Sequence, residues 1–261
     1  MTLVKVEIEA GAGVAVVRLD DQAALNAMSL QMASDLSDAL DQAFAGARAM
    51  ILTGAGRAFC AGAKMGAEAP VVAADGLPDM GAGLESHINP ILERLRASPI
   101  PWISAVRGPA AGVGCGLALA ADLIVASETA LFIQAFAAVG LAPDGGSSWL
   151  LSRAVGRARA MEMMLLGEKV TAARALEWGL INRVVADDQL DAEALSLATR
   201  LAKGPASLSL VRRAAWIGAE AGWSETLAVE RECQKLAGRT ADHREGVAAF
   251  LEKRAPRFTG V

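Results

Sequence analysis

Three times in the first 150 residues, small residues form a turn beside a buried strand or the start of a helix. This recurrence restricts the possible folds more than any other feature. Residues 49–53 (AMILT) run into Gly54-Ala55-Gly56 and then Ala58-Phe59-Cys60-Ala61-Gly62-Ala63. Residues 102–106 (WISAV) run into Gly112-Val113-Gly114-Cys115-Gly116, which opens an apolar helix. Pro143-Asp144-Gly145-Gly146-Ser147-Ser148-Trp149 opens another. Short continuous apolar strands between helices belong to a sheet covered on both faces, so the class is α/β.

The remaining segments agree with that class. Val4, Val6 and Ile8 alternate with charged residues, and residues 14–19 follow a glycine turn, so residues 3–19 read as a hairpin. Met28, Met32, Leu36, Leu40 and Phe44 recur every four residues, an amphipathic helix with Ser29 near its start. Residues 66–82 have no useful period and read as a mobile loop that could cover a site. Helical spacing resumes from Leu84 to Leu95, and residues 122–127 (DLIVAS) form another short strand. After Gly156 the chain reads as helical to its end, with breaks near Gly167, Gly179, Gly204-Pro205 and Gly222 and Leu190 to Leu201 the clearest helix, and Trp216 and Trp223 suggest buried contacts there, within the chain or between subunits.

Charge and cysteine content exclude several classes of function. The net charge of −4 gives no reason to expect a nucleic-acid partner, although residues 200–261 carry 11 Lys/Arg against 7 Asp/Glu. Cys60, Cys115 and Cys233 are far apart, and the histidines are His87 and His243, so neither a metal site nor a disulfide framework is expected. The start of the chain lacks a signal-peptide core and no apolar run is long enough to span a membrane, so the expected location is cytoplasmic with no membrane partner.

Small residues at the three turns let backbone N–H groups approach a ligand, and two such donors from separate turns can converge on one developing oxyanion. Asp144, between Pro143 and Gly145, sits on a fixed turn where a proton-transferring group could stand. Taken alone, a Gly-x-Gly that opens a helix is more often a matter of tight packing, and an Asp-Gly pair is usually only a turn. Leu117 stands where a dinucleotide fingerprint needs its third glycine, and neither a phosphate-loop lysine motif nor a Gly-x-Ser-x-Gly elbow is present.

In series, Asn26-Ala27-Met28, Phe59 to Ala63, Gly108 to Gly114, Asp122 to Ala126, Gly140 to Gly146, Arg174 to Leu180 and Arg244 to Arg254 resemble the crotonase superfamily, the enoyl-CoA hydratases and isomerases. The resemblance covers nearly the whole chain. It implies a spiral of ββα units over residues 1–199 and a helical C-terminal region over 200–261, one continuous domain assembled as homotrimers or hexamers. It also implies an acyl-CoA substrate, with coenzyme A part of that substrate and no separate cofactor. The backbone N–H groups of Ala63 and Val113 would form the oxyanion hole. Ala61, Gly62, Gly112, Gly114, Phe136 and Trp149 would line the substrate site.

Two departures decide the chemistry that the resemblance implies. The two glutamates with which family hydratases activate water fall at Gly116 and Phe136, which argues against efficient hydration. Asp144 instead matches the single proton-shuttling acid of some enoyl-CoA isomerases. Its Pro-Asp-Gly setting and the tail from Leu236 to Gly246 resemble the ring-epoxide isomerase of phenylacetate degradation. The expectation is therefore an isomerase. The alternatives are a hydratase using Asp144 alone, a thioesterase- or dehalogenase-like enzyme with a carboxylate nucleophile, and a non-catalytic acyl-CoA-binding subunit. Lys64, which replaces an acid usual in the family, is a surface lysine or a phosphate contact, and His87 is a structural histidine or faces the acyl group.

Overall fold

The computed structural model describes residues 2–9, 11–66 and 71–261. β1 (Val4–Glu9) and β2 (Val14–Leu19) form the expected antiparallel hairpin, with Val4 opposite Leu19. α1 (Leu30–Gly46) follows, and Ser29 caps it by accepting the Met32 N–H at 3.1 Å. β3 (Ala49–Gly54) then pairs in parallel with β2.

In the segment expected to be a loop, β4 (Val71–Val72) and β5 (Pro78–Asp79) form a small exposed antiparallel ribbon, while residues 67–70 lie outside the described residues. Two-residue strands carry no periodicity for a sequence to display. A π-helical turn, Leu84–Ile88, leads into α2 (Asn89–Arg96).

Two strand–strand–helix units come next. The first is β6 (Trp102–Val106), β7 (Pro109–Ala111) and α3 (Val113–Leu119). The second is β8 (Leu123–Ser127), β9 (Leu131–Ile133) and α4 (Ser147–Leu166). In α4, Gly156 breaks the helical backbone at φ 76°, ψ 163°.

The expectation that only helices, separated by breaks, follow Gly156 is corrected here, since two short strands lie beyond the breaks at Gly167 and Gly179. β10 (Val170–Thr171) precedes α5 (Ala172–Glu177), and β11 (Arg183–Val185) precedes α6 (Leu190–Ala202). Both strands are too short to show a period, yet their β-branched residues extend a sheet edge that only the folded chain supplies. α7 (Leu208–Gly218), α8 (Trp223–Ala237) and α9 (Ala241–Glu252) complete the helical region. Trp216 stacks on Trp149, whereas Trp223 is 77 % exposed and makes no buried contact within its own chain.

The main sheet has the order β1-β2-β3-β6-β8-β11, and a second sheet has the order β10-β9-β7. Successive residues of β3 serve opposite faces. Met50 and Leu52 join the cluster built on α1, with Met32, Leu36 and Leu40, while Ala49 and Ile51 join Leu190, Ala194 and Leu197 of α6. A sheet so covered must be apolar on both sides, which accounts for strands such as AMILT. The spiral of ββα units with a helical C-terminal region is the architecture that the resemblance implied.

Candidate active site

Parallel register in the second layer brings the glycine turns together. Cys60 bridges to Ala110, and Ala110 pairs with Phe132. Counting on from these partners, Gly62, Gly112 and Gln134 occupy equivalent places in successive turns of the spiral, and so do Ala63 and Val113. Gly62 and Gly112 face each other closely: a Cβ on Gly62 would lie 3.1 Å from the Ala111 carbonyl oxygen and 4.0 Å from the Gly112 Cα. Gly62 has φ 100° and Gly112 has φ 51°, so both the space and the backbone conformation select glycine.

The hydrogen bonding around these turns leaves two amides free. At the Met28–Ala63 bridge, the Gly62 carbonyl accepts the Met28 N–H at 2.7 Å and the Lys64 N–H reaches the Met28 carbonyl at 2.9 Å. The Ala63 N–H points away from this bridge. Val113 is the first residue of α3, where an N–H has no partner within the helix. Among the described residues neither amide has a protein acceptor. Paired layers stand roughly 4.8 Å apart, a separation across which two donors can share one oxygen.

Asp144 approaches from the next loop. The Ser147 N–H donates to the Asp144 carbonyl at 3.0 Å, and Gly145 and Gly146 have φ 62° and 73°, a turn of the I′ kind that requires both glycines. This turn lies on α3, since a Cβ on Gly145 would be 3.2 Å from the Val113 Cα. The contact is tighter at Gly116, where a Cβ would lie 2.2 Å from the Gly145 carbonyl oxygen. The position at which family hydratases carry their first glutamate is therefore filled by the backbone that carries Asp144. At the second such position the Phe136 ring is buried and lies 3.6 Å from where a Gly112 Cβ would be.

The Asp144 carboxyl is half-buried, its Oδ1 has no protein partner, and burial pushes its pKa up to about 6. The group therefore takes up and releases protons near neutrality. The raised value also affects stability. Between pH 3.8 and about 6 the folded chain holds a proton that the unfolded chain has lost. The stability this group contributes is full below pH 3.8 and is lost as pH rises through about 6. Asp144→Asn, which never ionises, is expected to match wild-type stability near pH 3.5 and to exceed it at pH 7.5. The gain is on the order of 1 kcal/mol, discounted for the exposed part of the group, and urea unfolding at the two pH values checks it.

The other expected residues are placed as follows. Ala61 is held by its N–H to the Leu25 carbonyl at 3.0 Å, beside Gly62. Gly114 backs directly onto Cys60, whose Sγ would be 2.8 Å from a Gly114 Cβ. Trp149 is not gathered with them: its ring stacks on Trp216 at 5.5 Å, has the Arg153 guanidinium 4.1 Å from its centroid, and borders a cavity of about 490 Å³ between α4 and α7. Lys64 Nζ pairs with Asp21 at 2.8 Å and is a surface lysine engaged within the chain. His87 is half-buried on the π-helical turn, its Nδ1 2.7 Å from Ser86 Oγ.

Sequence reasoning gave no role to Asn26. Its buried amide donates to the Ala55 and Ala58 carbonyls at 2.9 and 2.8 Å and accepts the Asp21 N–H at 2.9 Å, fixing the approach to the first glycine turn. Ser147 and Gln134, both fully buried, were likewise given no role. Among the described residues no three His, Cys, Asp or Glu side chains form a metal-binding group, and no helix is long and apolar enough to cross a membrane.

Comparison with known proteins bears on this geometry. The family model for enoyl-CoA hydratase/isomerase matches residues 9–261. A 1,2-epoxyphenylacetyl-CoA isomerase of Escherichia coli is 44 % identical over 252 residues, 95 % of each chain. A probable enoyl-CoA hydratase of Rhodobacter capsulatus is 43 % identical over 256 residues, 98 % of each chain. Among solved structures, an enoyl-CoA hydratase from Bacillus anthracis superposes with a TM-score of 0.90 at 29 % identity, covering 99 % of this chain and 100 % of its own. With the whole chain spanned by family, relatives and fold alike, this protein belongs to the enoyl-CoA hydratase/isomerase family of the crotonase superfamily.

Proposed function

We propose that the chain isomerises an acyl-CoA thioester by moving a double bond or opening a ring epoxide, with Asp144 as its one proton carrier. The thioester carbonyl would accept hydrogen bonds from the Ala63 and Val113 N–H groups, which stabilise the enolate that forms when a proton leaves C2. In a 3-enoyl substrate, Asp144 takes the C2 proton, charge spreads into a dienolate, and the same carboxyl returns a proton at C4. Ala61, Gly62, Gly112, Gly114 and Phe136 would shape the cleft around the thioester. No atoms are gained or lost overall, so one carboxyl suffices.

The observation that carries this reading is the contact at Gly116. A glutamate there would collide with the Gly145 backbone, so the Asp144 turn and a water-activating acid at position 116 exclude each other. Even Gly116→Ala is expected to displace the turn and lower the isomerisation rate by about 10²-fold, the scale of a 1 Å misplacement. Steady-state kinetics on a protein shown to be folded by circular dichroism would check this.

Water addition is the second reading, favoured by the similarity to the probable enoyl-CoA hydratase of Rhodobacter capsulatus. Incubation with a 3-enoyl-CoA and a 2-enoyl-CoA, followed by enoyl-thioester absorbance and mass, separates the two. Isomerisation at constant mass supports the proposal. Gain of one water from the 2-enoyl thioester at a comparable rate would overturn it.

A further inference from the structure

Ser147, in the same turn as Asp144, is fully buried and its Oγ has no protein partner, and neither has Asp144 Oδ1. A buried donor without an acceptor is costly, so such a group calls for a partner, either a bound water or a neighbouring side chain in another rotamer. Gln134 belongs to the α3 side, with its amide beside the Cys115 thiol. Ser147 is bound to Asp144 by the turn itself. The turn is closed by the Ser147 N–H to Asp144 carbonyl bond at 3.0 Å, and such turns hold their first and last Cα atoms within about 7 Å. The Ser147 hydroxyl and Asp144 Oδ1 are thus two unpaired buried atoms at the ends of one turn. A serine hydroxyl can then reach the carboxylate by rotation about one bond.

We propose that Ser147 is a positioning residue for Asp144: its hydroxyl donates to the Asp144 carboxylate when that group is ionised and releases it when the carboxyl is protonated. The bond aims the carboxylate at the site in the state that accepts a proton, and its release leaves the protonated carboxyl free to deliver that proton. The functional meaning rests on the reading of Asp144 as proton carrier; the bond itself does not.

The surroundings leave few competitors for this contact. α3 packs against the turn and contributes one titratable group, the Cys115 thiol, which burial pushes up to about 12 and keeps neutral. The segment after β9 contributes Gln134 and Phe136, which do not titrate. On α4 the nearest cation, Arg153, lies over the Trp149 ring. Burial alone raises the Asp144 carboxyl, with no neighbouring charge among the causes. A single neutral donor is therefore enough to move its titration.

The test is the titration of Asp144 in the ligand-free protein, followed by carboxyl ¹³C NMR in wild type and Ser147→Ala, with Asp144→Asn to assign the signal. Loss of a donor to the ionised form is expected to raise the midpoint by about one pH unit. Burial without that bond sets about 6, so Ser147→Ala should titrate near 6 and wild type about a unit lower; in turnover the variant is expected to run about fivefold slower than wild type at pH 5 and close to wild type at pH 8, with KM unchanged. Superimposable titrations overturn the proposal, as does an equal loss of rate at every pH. Loss of isomerase activity in Asp144→Asn beside an unshifted Ser147→Ala titration would remove this inference alone. A shifted titration in a protein whose Asp144→Asn variant still isomerises would leave the bond standing and remove the proton-carrier reading.

Discussion

Asp144→Asn is expected to lower the isomerisation rate by about two to four orders of magnitude, the usual contribution of a positioned acid–base group. Asparagine keeps the shape and burial of the side chain but cannot carry a proton. No other carboxylate or histidine has been placed at the two glycine turns, and the two positions where family hydratases carry glutamate hold Gly116 and Phe136. Thioester binding should survive, because the Ala63 and Val113 amides and the turns that hold them are unchanged. The expected pattern is therefore a fall in kcat with KM little altered, the mark of an interaction made in the transition state. Steady-state kinetics together with direct acyl-CoA binding would check both halves. A variant that binds and still turns over at the wild-type rate would place the proton carrier elsewhere.

The second large effect lies away from the site. Arg212 is 7 % exposed; it donates Nε to Asp122 Oδ2 at 2.5 Å and its terminal nitrogens to the Ser98 and Leu95 carbonyls. Asp122 also accepts the Trp102 N–H at 2.8 Å, and burial raises its pKa even against the attraction of Arg212. The Arg212–Asp122 pair thus joins the end of α2, the start of β6 through Asp122, the turn before β8, and α7. Arg212→Ala removes the counter-charge of a largely buried carboxylate and strips two carbonyls of their donor. The expected loss is about 3–5 kcal/mol of unfolding free energy, measured by urea denaturation. Lysine cannot reproduce the fork, so Arg212→Lys should recover only part of it. Because desolvation is most of the difficulty, the apolar pair Asp122→Leu with Arg212→Met should be more stable than Arg212→Ala alone.

Arg212 also illustrates what the sequence could not display. Its partners lie 90 to 117 residues away in the chain, and no local pattern announces them. The Trp149–Trp216 stack is non-local in the same way, so a tryptophan that could have lined the acyl cleft stands against α7. By contrast, the hairpin, α1, β3 and α6 were legible because a half-buried strand, an amphipathic helix and a doubly covered strand each impose their own period. β10 and β11 were hidden by brevity.

Within the site, the glycine turns and Asp144 were legible as chemistry, since glycine followed by a helix start implies exposed amides. What the register adds is that Ala63 and Val113 are equivalent positions in adjacent layers. The significance of Gly116 was only half legible. Its identity showed that a glutamate was missing, but only packing shows that the Gly145 backbone occupies the space. Ser147 read as one more small residue in a turn, because burial without a partner is a property of the folded state alone.

The central claim is that one half-buried carboxyl performs both proton transfers, and the pH dependence of kcat/KM for isomerisation tests it most directly. The account predicts a rate that rises through a single inflection at about pH 6, the value to which burial alone pushes Asp144, or up to about one unit below it with the Ser147 bond made, then stays level, with that inflection absent from the residual rate of Asp144→Asn. A bell-shaped profile, which requires a second titrating group, or an inflection that persists in the asparagine variant would contradict it.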